Sequence, residues 1–230
     1  MIKGIIFDLD GTLTDSILGI TDSINAGLKA CGIDLISKEE AICYIGDGLE
    51  ELILRSIAHS REALLTKNVK KEIFNTVKDI YMMEYKVNRI VKTKEFPCMT
   101  KVLMELKTRG YRLFVLSNKI QSDVGPMIDY FFPNIFDESL GECELIGKKP
   151  DVKGINYILN KYNFTKDEVL YVGDSHVDME TCQNAQIKSI VCNYGYERIY
   201  DLSQYNPTYY VDCPQDILKI DILNEGFKTV

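Results

Sequence analysis

No stretch of this chain approaches the ~18 consecutive apolar residues that a membrane-crossing helix needs, and the N-terminal apolar run is broken at Asp8, too early for a signal peptide. Positive charge is in deficit. Lys and Arg total 27 against 34 Asp and Glu, a net charge of −7, which argues against nucleic acid or an anionic membrane as the main partner. A small anionic ligand stays open, because it needs only local positive charge. None of the seven cysteines forms a CxxC pair, so free thiols in a reducing cytoplasm are expected. Histidine occurs only at His59 and His176, which leaves little support for a Cys–His nucleophile. Internal repeats and low-complexity linkers are missing. What is present is 230 residues, 46% hydrophobic and 27% charged. That is the make-up of a soluble globular protein with one large domain, or a domain with an insertion.

The densest chemistry lies in the first sixteen residues, MIKGIIFDLDGTLTDS. Ile5, Ile6 and Phe7 form an apolar run too short for a helix and suited to a buried parallel strand. Asp8 and Asp10 follow directly. Two carboxylates at the end of a buried strand are costly without a partner, and a divalent cation is the usual partner for clustered carboxylates. Gly11 allows a close backbone approach, and Thr12 offers a hydroxyl and an N–H.

From Ser16 the period changes. Ile17, Ile20, Ile24, Leu28 and Cys31 mark a helix ended by Gly32. Ser37 and Glu40 have capping-box spacing before another. Residues Ile45 to Leu49 break it, and helix resumes from Leu49 to about Ser60. A long helical stretch is expected from about Arg61 to Val87, with Ile73, Val77, Ile80, Tyr81 and Tyr85 on its apolar face. Strand signals are missing from residues 16–91. Pro97 is placed to begin a helix that Gly110 stops. Strands then alternate with amphipathic helices: Arg112 to Leu116, a weak strand near Ile135 to Glu138, Val169 to Val172, Ser189 to Cys192 and Tyr209 to Val211. The expected fold is α/β: an open, Rossmann-like parallel sheet formed by residues 1–15 and 92–230, interrupted by a small helical unit over 16–91.

Ligands in such sheets bind beyond the carboxyl ends of the strands. Three polar clusters fall there: Asp8/Asp10, Ser117/Asn118/Lys119 and Asp174/Asp178. Taken singly, each has a plain reading as a turn, a solvated loop or an N-cap with an acidic first turn. Together, in this order, they resemble the haloacid dehalogenase-like hydrolases. The residues that carry the likeness are FDLDGTLxDS at the N-terminus, Ser117-Asn118, Lys149 before Pro150, and Gly173-Asp174-Ser175 with Asp178. Ile45-Gly46-Asp47-Gly48 and Tyr194-Gly195-Tyr196 direct it further, to bacterial phosphoglycolate phosphatases and their relatives. Two departures stand out: Lys149-Pro150-Asp151 lacks a second Pro, and Cys98 stands where the family often has Gly.

The resemblance implies a phosphomonoesterase of a small phosphorylated metabolite, working through an aspartyl-phosphate. Asp8 would be the nucleophile and Asp10 the general acid and base. Thr12 would hold Asp10 or the phosphate, Ser117 and Asn118 the phosphoryl oxygens, and Lys149 would neutralise phosphate and nucleophile. Mg²⁺ would bind Asp8, the Asp10 carbonyl and Asp174, with Asp178 acting through water. The helical unit would be a cap, with Gly46, Asp47 and Gly48 reading the substrate. A phosphosugar mutase of the same fold is the alternative, and a phospho-accepting signalling module a more distant one. A cytoplasmic monomer or homodimer is expected.

Overall fold

The computed structural model describes residues 1–59, 67–196 and 201–224. In chain order its elements are β1 (Gly4–Phe7), β2 (Thr14–Asp15), α1 (Ile17–Ala30), α2 (Lys38–Tyr44), α3 (Gly48–His59), α4 (Lys67–Val91), β3 (Lys94–Glu95), α5 (Met99–Thr108), β4 (Arg112–Ile120), α6 (Gln121–Phe131), β5 (Glu138–Glu142), α7 (Lys153–Tyr162), β6 (Val169–Gly173), α8 (His176–Ala185), β7 (Lys188–Cys192) and β8 (Tyr209–Val211). The chain divides into two compact units, Met1–Asp15 with Glu95–Val230, and Ser16–Lys94. Among the described residues no helix is long and apolar enough to cross a membrane.

The larger unit is a six-stranded sheet in the order β5-β4-β1-β6-β7-β8, and every pairing in it is parallel. β1 lies at its centre, so both faces must be apolar, and Ile5, Ile6 and Phe7 are wholly buried. Ile6 packs with Phe114, Leu116 and Tyr171 against Ile155, Ile158 and Leu159 of α7 and Cys182 and Ala185 of α8. Strand order reverses across β1: the chain proceeds outward to β4 and β5 on one side and β6 to β8 on the other. A crevice beyond the carboxyl ends is expected at such a reversal. Register fixes what meets there. Phe7 is level with Val115 of β4 and Val172 of β6, so Asp8, the residues after Leu116 and those after Gly173 emerge along one edge.

Three expectations shift. β4 does not stop at Leu116 but continues to Ile120, and its ladder with β5 slips between Leu116 and Ile120. Such irregularities re-aim side chains, here Ser117, Asn118 and Lys119. The strand expected near Ile135 to Glu138 is β5, further along. Ile135 donates its N–H back to Phe132 in a turn, while the polar run of β5 is acceptable because β5 is an edge strand. Pro97 does not begin α5. Cys98 precedes that helix at φ 68°, a left-handed conformation that favours glycine, which accounts for the glycine the resemblance implies there.

Among its described residues up to Val91, the smaller unit contains helices and their connections and no strand. α1 and α4 pack through small residues: a β-carbon on Gly27 or on Gly19 would stand 2.9 Å from the carbonyl oxygen of Val77 or Asn88. Asn88 Nδ2 donates to Ser23 Oγ at 2.9 Å inside this contact. Val77, Tyr81 and Tyr85 of α4 are buried, with the tyrosine rings stacked at 5.1 Å. The capping box of Ser37 and Glu40 opens α2. The helix expected from Arg61 to Val87 begins outside the described residues; its described part, α4, runs on to Val91.

Candidate active site

β1 delivers Asp8 to the sheet edge, its N–H bonded to Val172 O at 2.9 Å. β6 delivers Asp174, and the first turn of α8 delivers Asp178. These three buried carboxylates offer oxygens that all lie within 4.8 Å of one another. Lys149 reaches in from the loop after β5. Its Nζ donates to Asp8 Oδ1 at 2.8 Å, Asp178 Oδ1 at 2.7 Å and Tyr171 Oη at 3.0 Å.

Asp178 is held on every side. Oδ1 also accepts from Tyr171 Oη at 2.8 Å, and Oδ2 accepts from the Ser175 hydroxyl at 2.7 Å and its N–H at 3.1 Å. Ser175 and Asp178 thus form the capping box of α8 while Asp178 also serves the cluster. Asp174 is fixed by Thr12 Oγ1 at 2.9 Å and Tyr196 N–H at 2.8 Å. The Thr12 hydroxyl therefore lies on Asp174 rather than on Asp10. Glycines close the other sides: a β-carbon on Gly11 would fall 2.2 Å from Asp174 Oδ2.

Ser117 Oγ accepts from Lys119 N–H at 3.3 Å. The Asn118 amide clamps the Lys149 peptide, donating to Lys149 O at 3.0 Å and accepting from Lys149 N–H at 2.6 Å, so it positions the lysine. The carboxylate of Asp10 pairs with Lys119 Nζ at 2.9 Å. Gly46, Asp47 and Gly48 lie in the helical unit, at the joint between α2 and α3. There Asp47 accepts from Arg55 at 2.6 Å, and Arg55 also reaches Tyr44 O.

Electrostatics follow burial. Burial pushes the Asp8 carboxyl up to about 7, with Lys149 opposing and Asp178 and Asp10 assisting. Burial, Asp178 and Asp8 drive Asp174 well above the carboxylate range. Burial also acts to raise Asp178, but Lys149, Ser175 and Tyr171 outweigh it and hold it low. For Lys149, burial disfavours the charge and is overcome by Asp178 and Asp8, so the ammonium persists. The ammonium pairs with Asp8 and Asp178 but not with Asp174, so the three acidic groups remain one cation short: two like charges 4 Å apart repel by about 4 kcal/mol at an effective dielectric near 20. An all-oxygen, acidic donor set of this kind suits a hard divalent cation.

Tyr171 and Tyr196 carry no site role in the sequence reading, and Lys119 enters it only as a member of the Ser117/Asn118/Lys119 cluster, with no role of its own. Tyr171 reads as a buried strand residue, and only the hydroxyl on an otherwise apolar run hints at more. Lys119 adjoins Ser117-Asn118, which is the one signal it offers. Tyr196 belongs to Tyr194-Gly195-Tyr196, whose contact with the site depends on tertiary packing.

The sequence profile of the haloacid dehalogenase-like hydrolases matches residues 5–192. Phosphoglycolate phosphatase of Colwellia psychrerythraea is 26% identical, over 93% of this chain and 94% of its own. That of Pasteurella multocida is 29% identical, over 93% and 96%. Among solved structures, a predicted phosphoglycolate phosphatase from Haemophilus somnus 129pt superposes with a TM-score of 0.89 at 30% identity, covering 96% of this chain and 98% of that one.

Proposed function

The chain belongs to the haloacid dehalogenase-like hydrolases, and on that premise we propose that it is a Mg²⁺-dependent phosphomonoesterase for a small phosphorylated metabolite of the phosphoglycolate kind. The observation that carries this is the convergence of Asp8, Lys149, Asp174 and Asp178 at the end of the central strand, with Asp10 two residues on. The curated relatives named above are phosphoglycolate phosphatases, and none of the seven cysteines is in a disulfide, which fits the proposed cytoplasmic setting.

An Asp8 oxygen attacks phosphorus, the bond to the leaving oxygen breaks, and an aspartyl-phosphate remains on Asp8. Asp10 gives its proton to the leaving alkoxide, then takes one from the water that attacks the same phosphorus and frees Asp8. Lys149 holds Asp8 in place and balances charge on the phosphoryl oxygens. Ser117 offers its hydroxyl to those oxygens, while Asn118 fixes the Lys149 backbone. Asp8, the Asp10 carbonyl and Asp174 would hold Mg²⁺, and Asp178 would act through water. The ion supplies neutralisation of the carboxylates and of the phosphoryl group. In the helical unit, Gly46-Asp47-Gly48, braced by Arg55, is the proposed substrate-reading segment of a cap.

Phosphate release from a panel of phosphomonoesters, with Mg²⁺ or with EDTA, tests the reading. Metal-dependent release that disappears in Asp8→Asn is expected. Absence of release from every ester in the wild type would refute it and move a mutase to the front.

A further inference from the structure

Two ammonium groups touch the carboxylates of this edge, and they are not equivalent. Lys149 is bound behind the nucleophile, on Asp8, Asp178 and Tyr171. Lys119 pairs instead with Asp10, its Nζ 2.9 Å from Asp10 Oδ2. It comes from the stretch of β4 where the ladder slips, and its side chain is only 7% exposed. A lysine so enclosed is not a solvated surface residue; lysine is rarely buried without a charged partner.

Asp10 is the group that meets the leaving oxygen in the proposed chemistry. A cation on Asp10 is therefore within reach of whatever is bonded to that oxygen, while Lys149 is paired with Asp8 and Asp178. An ammonium is compact and donates in three directions, and Lys149 shows in this same site that one lysine can bind two carboxylates, at 2.8 and 2.7 Å. We propose that Lys119 binds an anionic group carried by the leaving alcohol, a carboxylate bonded to the ester carbon, and so selects carboxylate-bearing phosphomonoesters over neutral ones. The assignment deepens the phosphatase reading and rests on it. A neutral alkyl ester presents nothing to Lys119, whereas a 2-phospho-carboxylate places its second charge one bond beyond the ester carbon, close to the leaving oxygen that Asp10 meets.

The test compares kcat/KM for phosphoglycolate with that for ethyl phosphate, which has the same carbon count and no carboxylate, in wild type and Lys119→Met. A charge-assisted hydrogen bond lost without replacement should lower the preference for phosphoglycolate on the order of 10–100-fold. Any unfolded fraction scales both substrates alike and leaves the ratio untouched. A second arm measures binding by calorimetry in Asp8→Asn: adding Lys119→Met should weaken phosphoglycolate more than inorganic phosphate. If Lys119→Met lowers both esters equally, or both ligands equally, the lysine serves only Asp10 and the inference is overturned while the phosphatase reading stands. If wild type hydrolyses neither ester, the phosphatase reading itself falls and takes this inference with it.

Discussion

Gly195 is packed so closely on Asp174 that a β-carbon at residue 195 would lie 2.2 Å from the Asp174 β-carbon. Real β-carbons do not approach so near, and Asp174 has little room to retreat because Thr12 and the Tyr196 N–H hold both its oxygens. Gly195→Ala should therefore displace this carboxylate. Loss of support behind a metal ligand typically costs 10–100-fold in metal affinity, and a Mg²⁺ titration of activity should show a shift of about that size.

The raised Asp8 carboxyl gives metal binding a pH dependence. A cation must displace the proton from Asp8 while pH is below about 7. Apparent Mg²⁺ affinity should climb as pH rises toward 7 and, because the Asp174 carboxyl is also raised by burial, Asp178 and Asp8, should not level off there. At a concentration 100 times the dissociation constant, Mg²⁺ should stabilise the fold by about 2.7 kcal/mol. Thermal melts with and without EDTA at pH 6 and pH 8 would measure both effects, and Asp174→Asn should abolish the metal-induced shift.

The two motif aspartates should separate kinetically. Asp8→Asn removes the proposed nucleophile and should leave no measurable phosphate release. Asp10→Asn removes proton transfer, a loss of roughly 10²–10⁴-fold in kcat. Rapid-quench labelling with a radioactive substrate that carries a good leaving group should trap phosphoryl-enzyme in Asp10→Asn and none in Asp8→Asn.

Asp137 provides a stability test remote from the chemistry. Its carboxylate accepts from Leu113 N–H at 2.9 Å and pairs with Arg112 at 2.7 Å and Lys107 at 3.1 Å. Burial acts to raise the group, but these three partners outweigh it and hold it below the ordinary carboxylate range. A depressed carboxyl contributes stability above its unfolded value, and that contribution is lost as pH falls through the lower folded value. Asp137→Asn should thus destabilise by about 1–2 kcal/mol at pH 7, with the gap closing below pH 4. Urea melts across that range would measure it.

How much of this was legible beforehand depends on the kind of contact. Asp8, Asp174 and Asp178 could be placed at one edge because apolar runs reveal strands, and parallel strands align their carboxyl ends. Lys149 could be found through its Pro150 neighbour. Roles that depend on where a side chain turns could not be read. The Asn118 amide binds the Lys149 peptide, the Thr12 hydroxyl goes to Asp174, and the Tyr171 hydroxyl joins Lys149 to Asp178. Each is a long-range pairing with no periodic trace. The edge strand β5 was misplaced for a related reason, since half-exposed strands lack the apolar run that marks buried ones.

Phe96 donates its N–H to Leu13 O at 3.1 Å, so the backbone resumes its path through the sheet beside the point where it left. Everything between is, to the larger unit, one long detour between fixed anchor points. Closing such a detour depends only weakly on its length, about 0.6 kcal/mol per doubling. As far as loop closure is concerned, the architecture is therefore permissive to transplantation: exchanging residues 16–94 for a module of another length changes that term little. A chimera carrying a relative's helical unit should keep the catalytic edge, and phosphate release from a panel of esters would show how far substrate range travels with the exchanged module.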